Sequence, residues 1–404
     1  MPTAPASPST ARAINDRLAL RLLQEEGPLT AGRLKQLTGL SRPTVADLVE
    51  RLQRAGLVEV VGETGAERRG PNARVYGIVA GRAHLAALDV RLRSVTVAVT
   101  DLLGAVLAEA SAPIGGDLDT APAVERAAAL LEEAVAEAGA TRLHTVGVGA
   151  PGLIDSAGVL RDSAGLPAWH RRLVAVLRER LPAPVLVENE TNLAAVAEAR
   201  EGAARDRDTF VLLWLGHGVG AAVVLDGALR RGASGGAGEI GFLPVPGTGG
   251  LPSASDCAGG FHALAGSTAV QALADGYGLA GPADAPAARG REGEPASAGL
   301  VRAALDRAAD GFLDALAERI ALGAAAVSAV LDPGCVVLGG ETGHAGGPEL
   351  AARVEARLAA LSPLRTEVRA GRLGGGAVLR GALLTARDAA QDDLFGAPPQ
   401  TRRR

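Results

Sequence analysis

The chain has 404 residues, of which 48% are hydrophobic, and a formal net charge of −4 at pH 7. This length is too great for one average domain and predicts two or three, with enough apolar material for proper cores. Only two cysteines occur, Cys257 and Cys335, which excludes a disulfide framework and is typical of a reducing compartment, so we expect a cytoplasmic protein.

The ends of the chain carry no targeting or membrane signal. Residues 1–10 have no basic segment and no apolar run, and no apolar run anywhere reaches the roughly 18 residues that a membrane span needs. We therefore expect no signal peptide and no membrane partner. The compositions of residues 1–10 and 396–404 predict disordered tails.

Positive charge is concentrated at the N-terminal end. Residues 1–80 contain eleven Lys and Arg against eight Asp and Glu, a net charge of about +3 in a chain whose total is −4. A basic N-terminal segment on an acidic body indicates that only the N-terminal segment binds a polyanion.

Three helices are predicted in the front domain, which we place at residues 11–79. Apolar residues from Ile14 to Leu22 repeat at helical spacing before a Gly-Pro pair. Thr30 can cap a second helix that ends at Gly39, and Ser41 can cap a third, whose apolar face comprises Val45, Leu48, Val49 and Leu52. Two helices joined by a short glycine turn form a helix-turn-helix.

Two β-rich segments, 57–61 and 73–79, complete the outline of a winged helix. With its apolar face turned inward, the third helix would present polar side chains to a major groove, and the wing tip would reach the backbone or the minor groove. The predicted DNA contacts are Ser41, Arg42, Thr44, Asp47, Arg51, Arg68 and Arg69. The alternative is a protein-interaction module with solvated arginines, but basic residues at both predicted contact sites favour double-stranded DNA.

The body, which we place at residues 81–390, carries one pattern twice. A β-meander over 84–108 and a second over 209–230 are each followed by helix-rich material. Further short apolar runs read as buried strands, at 145–148, 185–187 and 335–338. Two such halves predict a two-lobed α/β protein with a cleft between the lobes.

Five motifs in the body resemble, in order and spacing, those of the ROK family of sugar kinases and repressors. They are VGVGAPGLIDSAGVL (146–160), LPAWH (166–170), VLVENETNLAAVAEAR (185–200), the glycine-rich stretch 209–242 and DPGCVVLGG (332–340). The segment TAGRLKQLTGLSRPTVADLVERLQRAGLVEV also resembles the winged helix of many bacterial repressors. The resemblance implies a two-lobed, actin-like ATPase fold behind the winged helix-turn-helix. It also implies a homodimer or dimer of dimers, and a regulator of carbohydrate-related genes that responds to a sugar effector.

The resemblance also indicates that a phosphate-binding turn has been lost. The family's kinases carry Asp-x-Gly-Gly-Thr at the first hairpin, where this chain has Asp89-Val90-Arg91-Leu92-Arg93. Bulky side chains on this turn would block the close approach of phosphates, and two arginines cannot restore a cradle of backbone amides. A second glycine loop, 216–220, is present, but its turn needs those glycines in any case. We therefore predict that the chain is not an enzyme and uses no cofactor.

The sugar half of the cleft keeps more of the family pattern. Glu190 takes the place of the kinases' catalytic Asp, and the extra methylene can misplace a base by about 1 Å, which costs on the order of a hundredfold in rate. Asn189 or Thr191 caps the helix that begins here, or contacts a sugar, or does both. The pattern places Gly152, Asn189, Glu190 and Glu239 at an effector site.

The family's structural zinc site lacks its ligands here. Phe242 replaces the expected His, and residues 253–267 contain a single cysteine, Cys257, with His262 nearby. Because zinc takes four nitrogen or sulfur ligands, we predict no metal. Ala263 stands where the family has a sugar-contacting Glu, which weakens the sugar site further.

Three functions stay open from the sequence. The first is a repressor with a sensing but non-catalytic body, favoured because a winged helix is combined with a broken phosphate turn. The second is a sugar kinase with a regulatory DNA-binding head, for which Glu190 would be the catalytic base. The third is a DNA-binding regulator without a small-molecule effector.

Overall fold

The computed structural model describes residues 8–64, 73–114, 119–155, 157–161, 166–253, 255–279 and 294–396. Within these ranges the chain forms a small N-terminal domain and a two-lobed body, each built around a β-sheet. None of the described helices combines the length and the hydropathy that crossing a bilayer requires.

The N-terminal domain is a winged helix. Its elements are α1 (Pro8–Glu25), β1 (Leu29–Thr30), α2 (Ala31–Thr38), α3 (Arg42–Arg54), β2 (Val58–Thr64) and β3 (Ala73–Ile78). The Thr30 hydroxyl accepts from the amide of Arg33 at 3.2 Å, and the Ser41 hydroxyl accepts from that of Thr44 at 3.3 Å. Gly39 ends α2 in the left-handed conformation, at φ 69°. The predicted caps and glycine stop are therefore confirmed.

Two features of this domain differ from the prediction. Helix α1 begins at Pro8, inside the stretch predicted to be disordered, whereas residues 1–7 and 397–404 lie outside the described residues. Strand β1 was not predicted; it pairs antiparallel with β3 in a sheet of order β1-β3-β2. Two residues are too few to show any periodicity.

The first lobe is a five-stranded sheet of order β6-β5-β4-β7-β8. Three antiparallel strands form the meander, and the last two strands run parallel to β4. Helices α4 and α5 pack on one face. The elements are β4 (His84–Val90), β5 (Ser94–Asp101), β6 (Val106–Pro113), α4 (Thr120–Glu137), β7 (Leu143–Ala150), α5 (Ala168–Arg180), β8 (Val185–Asn189) and then α6 (Glu190–Glu201).

The second lobe repeats this plan with a sheet of order β11-β10-β9-β12-β13. Its strands are β9 (Phe210–Leu215), β10 (Val219–Leu225), β11 (Ala228–Arg230), β12 (Cys335–Gly339) and β13 (Glu367–Ala370). Its helices are α7 (His262–Ala265), α8 (Ser267–Gly276), α9 (Ala296–Asp306), α10 (Asp310–Leu331) and α11 (Gly340–Leu361). The predicted duplication and the two-lobed α/β architecture are confirmed.

The chain passes between the lobes twice, and the two crossing segments pack on each other. Helix α6 leads from the first lobe to the second, and residues 371–376 lead back to α12 (Ala377–Phe395), which packs on α6, β4 and β7. A Cβ atom at Gly381 of α12 would lie 2.0 Å from the carbonyl oxygen of Leu193 in α6. Only glycine therefore permits this approach of the two helices.

The far end of α12 joins the body to the winged helix. Phe395 is buried in one apolar cluster with Leu20, Leu34 and other residues of the N-terminal domain. Arg17 of α1 donates to Asp392 of α12 at 2.5 Å. The same helix that packs on both crossing segments at one end thus forms the joint with the DNA-binding domain at the other.

Candidate functional site

The outer face of α3 is the candidate DNA interface. Ser41, Arg42 and Asp47 are exposed and Thr44 is half-buried, while the four apolar residues predicted to face inward are all buried. The Ser41 and Thr44 hydroxyls lie 2.8 Å apart at the start of the helix. Arg42 forms no ion pair with any of the residues that the structure describes, so its guanidinium is available to an anionic partner.

Arg51 lies at the border between α3 and α1, and its predicted contact with DNA stays a prediction. Its guanidinium is bound by Asp16 of α1, with Nη2 2.6 Å from Oδ1, and it also pairs with Asp47. Position 51 borders α1, and its side chain is 24% exposed. Arg51 therefore connects α3 to α1 rather than projecting freely toward DNA. Arg68 and Arg69 lie outside the described residues, so their contact at the wing tip stays a prediction.

A cleft of about 620 Å³ lies between the two lobes of the body. Three residues of the predicted effector site, Gly152, Glu190 and Glu239, line it together with Trp214, His217 and Glu341. Asn189 lines a smaller adjoining cavity of about 110 Å³ that shares those three residues. The structure therefore brings the four predicted effector residues together at one place, although their contact with a ligand stays a prediction.

Asn189 caps helix α6. Its side-chain oxygen accepts from the amide of Thr191 at 2.8 Å, and its side-chain nitrogen donates to the carbonyl of Gly152 at 2.9 Å. Of the roles that the sequence allowed, capping is the one observed. The second hydrogen bond fixes the loop at Gly152 against the start of α6, so Asn189 also shapes the wall of the cleft.

Acidic side chains dominate the electrostatics of the cleft. Burial, followed by the neighbouring carboxylates Glu341 and Asp89, raises the pKa of Glu190 to about 8. Burial also raises the pKa of Glu239 and that of Asp89. The neutral form of Glu190 is therefore favoured relative to an exposed glutamate. A protonated carboxyl group can donate a hydrogen bond to a ligand hydroxyl, but it cannot act as a general base.

Arg91 fills the turn that the family's kinases use for phosphate. Its Nε lies 2.9 Å from Oδ2 of Asp89, its Nη1 lies 2.5 Å from Oε1 of Glu341, and its Nη2 donates to the carbonyl of Gly375 at 2.6 Å. Burial by itself would lower the pKa of Arg91, but the charges of Asp89 and Glu341 raise it well above its ordinary value. Arg91 is thus a permanent cation inside the cleft, and its charge is already neutralised by the protein.

A buried histidine supports this turn from behind. Nε2 of His170 lies 3.2 Å from the backbone carbonyl of Arg91, and burial lowers the pKa of His170 to about 4. The ring is therefore neutral at physiological pH and donates from Nε2 to that carbonyl. This bond links the LPAWH motif to the turn that positions Arg91.

Glu341 lines the cleft and was not among the predicted site residues. It stands immediately after the Gly339-Gly340 pair that closes the last motif, in the first turn of α11. A carboxylate at a helix N-terminus is ordinary, so its position alone carried no functional signal. Only the fold shows that it meets Arg91, which lies 250 residues earlier in the chain.

The region of the family's zinc site is built differently here. Phe242, 39% exposed, lines the cleft together with Cys257, and His262 begins α7. Over the described ranges, no group of three or more His, Cys, Asp and Glu side chains is placed to hold a metal ion. The aromatic ring of Phe242 offers an apolar wall on this side of the cleft.

The raised pKa of Glu190 predicts a specific dependence of stability on pH. In the unfolded chain the pKa of this carboxyl group is near its ordinary value of 4.5, whereas in the folded protein the pKa is about 8. The folded state therefore binds more protons between these values, and its stability falls as the pH rises through this window. We expect Glu190→Gln to remove part of that fall in urea titrations between pH 5 and pH 8.

Glu133→Gln, at an exposed position of α4, is the matched control for this titration and should leave the slope unchanged. Equal slopes for wild type and Glu190→Gln would show that Glu190 is ionised in the folded protein at neutral pH.

Comparison with known proteins agrees with this architecture. The profile described as "ROK family" matches residues 85–389, and the profile described as "MarR family" matches residues 14–69. The xylose repressor of Bacillus subtilis is 24% identical over 237 residues, which are 57% of this chain and 60% of that protein. The glucokinase of Thermotoga maritima is 36% identical over 135 residues, which are 33% of this chain and 42% of that enzyme. The alignments thus span about three fifths of the repressor and less of the kinase.

A crystal structure described as a ROK family transcriptional regulator, a homologue of the Escherichia coli MLC protein, matches nearly the whole chain. The TM-score is 0.73 at 22% identity, with 95% of this chain and 98% of that one covered. At this identity the match shows the shared fold, with the winged helix and the two-lobed body in one chain.

Proposed function

The chain belongs to the ROK family, and we propose that it is a DNA-binding transcriptional repressor whose body senses a sugar or sugar derivative without kinase activity. The observation that carries the proposal is the combination of an exposed recognition helix with an arginine-filled phosphate turn in one chain. The similarity to a xylose repressor supports it and makes D-xylose the first sugar to test. A repressor acts where the chromosome is, so we propose that the protein is cytoplasmic.

The proposed DNA contacts follow from the surface of α3. Arg42 and Thr44 lie at the start of the helix, where side chains reach base edges in the major groove, while Ser41 lies beside phosphate. Arg68 and Arg69 remain proposed contacts of the wing. Two such helices on a pseudo-palindromic operator need half-sites about 34–36 Å apart. We therefore propose a homodimer, whose mass light scattering would measure.

The absence of catalysis is proposed on two grounds. Arg91 fills the turn where backbone amides would otherwise approach phosphate, and the raised pKa of Glu190 favours its neutral form, which accepts no proton. The cleft keeps carboxyl groups that can bind hydroxyls, together with the rings of Trp214 and Phe242. Such a lining suits a sugar, whose hydroxyls need polar partners and whose ring faces are apolar.

A gel-shift titration on the DNA upstream of the protein's own gene tests the proposal. We expect saturable binding whose affinity falls steeply as salt rises, because Lys and Arg contacts release counterions. The titration is then repeated with a panel of pentoses, hexoses and N-acetylhexosamines, of which one should release the DNA. Absence of saturable binding at low salt would refute the proposal.

A sugar kinase with a regulatory head is the second candidate function. It is favoured by the position of Glu190 in the cleft and by the glycines of residues 216–220, and the likeness to a glucokinase supports it. Release of ADP from Mg-ATP in the presence of any sugar of the panel would establish it. No release across the panel would leave the repressor proposal in place.

The third candidate function is a DNA-binding regulator without an effector. A thermal-shift assay distinguishes it from the sugar-sensing repressor. A sugar that binds the folded cleft raises the melting temperature in proportion to the logarithm of its concentration above Kd. A flat response to every sugar, with intact DNA binding, would favour this reading over the sensing repressor.

A further inference from the structure

We propose that Arg91 is an internal latch of the cleft, which holds the two lobes together and connects their closure to the winged helix. The latch itself is independent of the proposed function. Only its consequence for DNA binding rests on that proposal.

The three contacts of Arg91 join three different parts of the body. Asp89 belongs to β4 of the first lobe, Glu341 to the first turn of α11 in the second lobe, and Gly375 to the segment that crosses back between them. A guanidinium group is suited to this task because its five donors have a fixed planar arrangement. One side chain thus connects both lobes and the crossing segment.

Burial makes these contacts hard to replace. The side chains of Asp89 and Glu341 are only 3% and 5% exposed, so their charges depend on a cation supplied by the protein. An approaching phosphate group would have to displace Arg91 from both carboxylates and would then face their negative charge. The guanidinium of Arg91 therefore occupies the position between the lobes where a phosphate group of a ligand would otherwise bind.

The crossing segment transmits the state of the latch. Gly375 stands two residues before the first residue of α12, and the 19 residues of α12 extend for about 28 Å at the usual helical rise. At the far end, Asp392 pairs with Arg17 of α1. Asp16, the residue before Arg17 in α1, forms an ion pair with Arg51 of the recognition helix α3. The latch and the recognition helix thus lie at the two ends of a chain of packed elements.

Fluorescence of Trp214 tests the latch without DNA. Trp214 lines the cleft and is 5% exposed, and the only other tryptophan is Trp169, which is replaced by Phe in all the proteins compared. Arg91→Met should open the cleft and increase the acrylamide quenching constant of Trp214. The control is Arg93→Met, which removes the same kind of side chain from an exposed position of the same turn. Equal quenching in the two variants would overturn the latch.

A second variant covers the case in which Arg91→Met fails to fold. The triple substitution Arg91→Met, Asp89→Asn and Glu341→Gln removes the cation together with both charges that depend on it. Its circular dichroism should match that of the wild type, and its quenching constant should be raised. A folded triple variant with wild-type quenching would also overturn the latch.

The coupling of the latch to the winged helix is tested by DNA binding, with the same upstream DNA fragment as in the gel-shift titration. Arg91→Met is expected to weaken binding about 5- to 150-fold, the usual range of coupling between sites, while Arg93→Met leaves binding unchanged. Increased quenching with unaltered DNA affinity would leave the latch standing and overturn its coupling to the winged helix. If the wild type itself binds no DNA, the repressor proposal fails, and the quenching comparison still decides the latch.

Discussion

Replacing Arg42 by alanine is expected to weaken operator binding by about 1–3 kcal/mol, or roughly 5- to 150-fold, with no loss of stability. Arg42 is the first residue of α3, exposed, and has no ion-pair partner among the described residues. Its removal therefore costs the folded protein little, whereas the complex loses a cation at the end of the helix that enters the groove. Fluorescence anisotropy with a labelled upstream fragment measures the change.

The matched control for this substitution is Arg54→Ala. Arg54 lies at the opposite end of the same helix, is exposed, and pairs with Glu50 at 2.6 Å. The two positions are about 18 Å apart along the helix axis, so only one of them can reach the base edges beneath the first turn. Equal losses of affinity in the two variants would indicate a general electrostatic effect and contradict the proposed docking of α3.

Replacing Gly381 by alanine is expected to lower the free energy of unfolding by about 3 kcal/mol or more. The added Cβ would stand 2.0 Å from the carbonyl oxygen of Leu193, and backbone atoms of two packed helices cannot move apart without opening the core between the lobes. Urea titration followed by circular dichroism measures the change.

Gly376→Ala is the control for the clash. Gly376 directly precedes α12 at φ −84°, and a Cβ there would meet no atom within 4 Å. We expect this substitution to be neutral or to stabilise by up to about 1 kcal/mol, because alanine restricts the unfolded chain. Similar urea midpoints for the two variants would mean that α6 and α12 can separate at little cost.

The local features of the fold could be predicted from the sequence. Caps such as Thr30 and Ser41 act within three residues, and the glycine stop at Gly39 depends on a single dihedral angle. The apolar spacing of α3 and the duplicated meander are also local patterns. These signals sufficed for the winged helix and for the two-lobed body.

The features that sequence reasoning missed depend on distant contacts. The orientation of Arg51 is decided by Asp16 on another helix, and the role of Glu341 is decided by a turn 250 residues away. The resemblance to the ROK family located the altered turn, and it suggested that the arginines only remove a phosphate site. The bridge that Arg91 forms between the lobes depends on partners far away in the sequence.

The close approach of α6 and α12 restricts how the body can move. Helix α6 is one connection between the lobes and the other leads into α12, and at Gly381 no side chain separates the backbones of these two helices. Sliding one helix along the other would drive the Leu193 carbonyl into the larger neighbours of Gly381, so shear is blocked while rotation remains open. We therefore expect the lobes to rotate about this helix pair rather than to slide along it. Because α12 also packs on the winged helix, such a rotation would change the joint between the body and the DNA-binding domain.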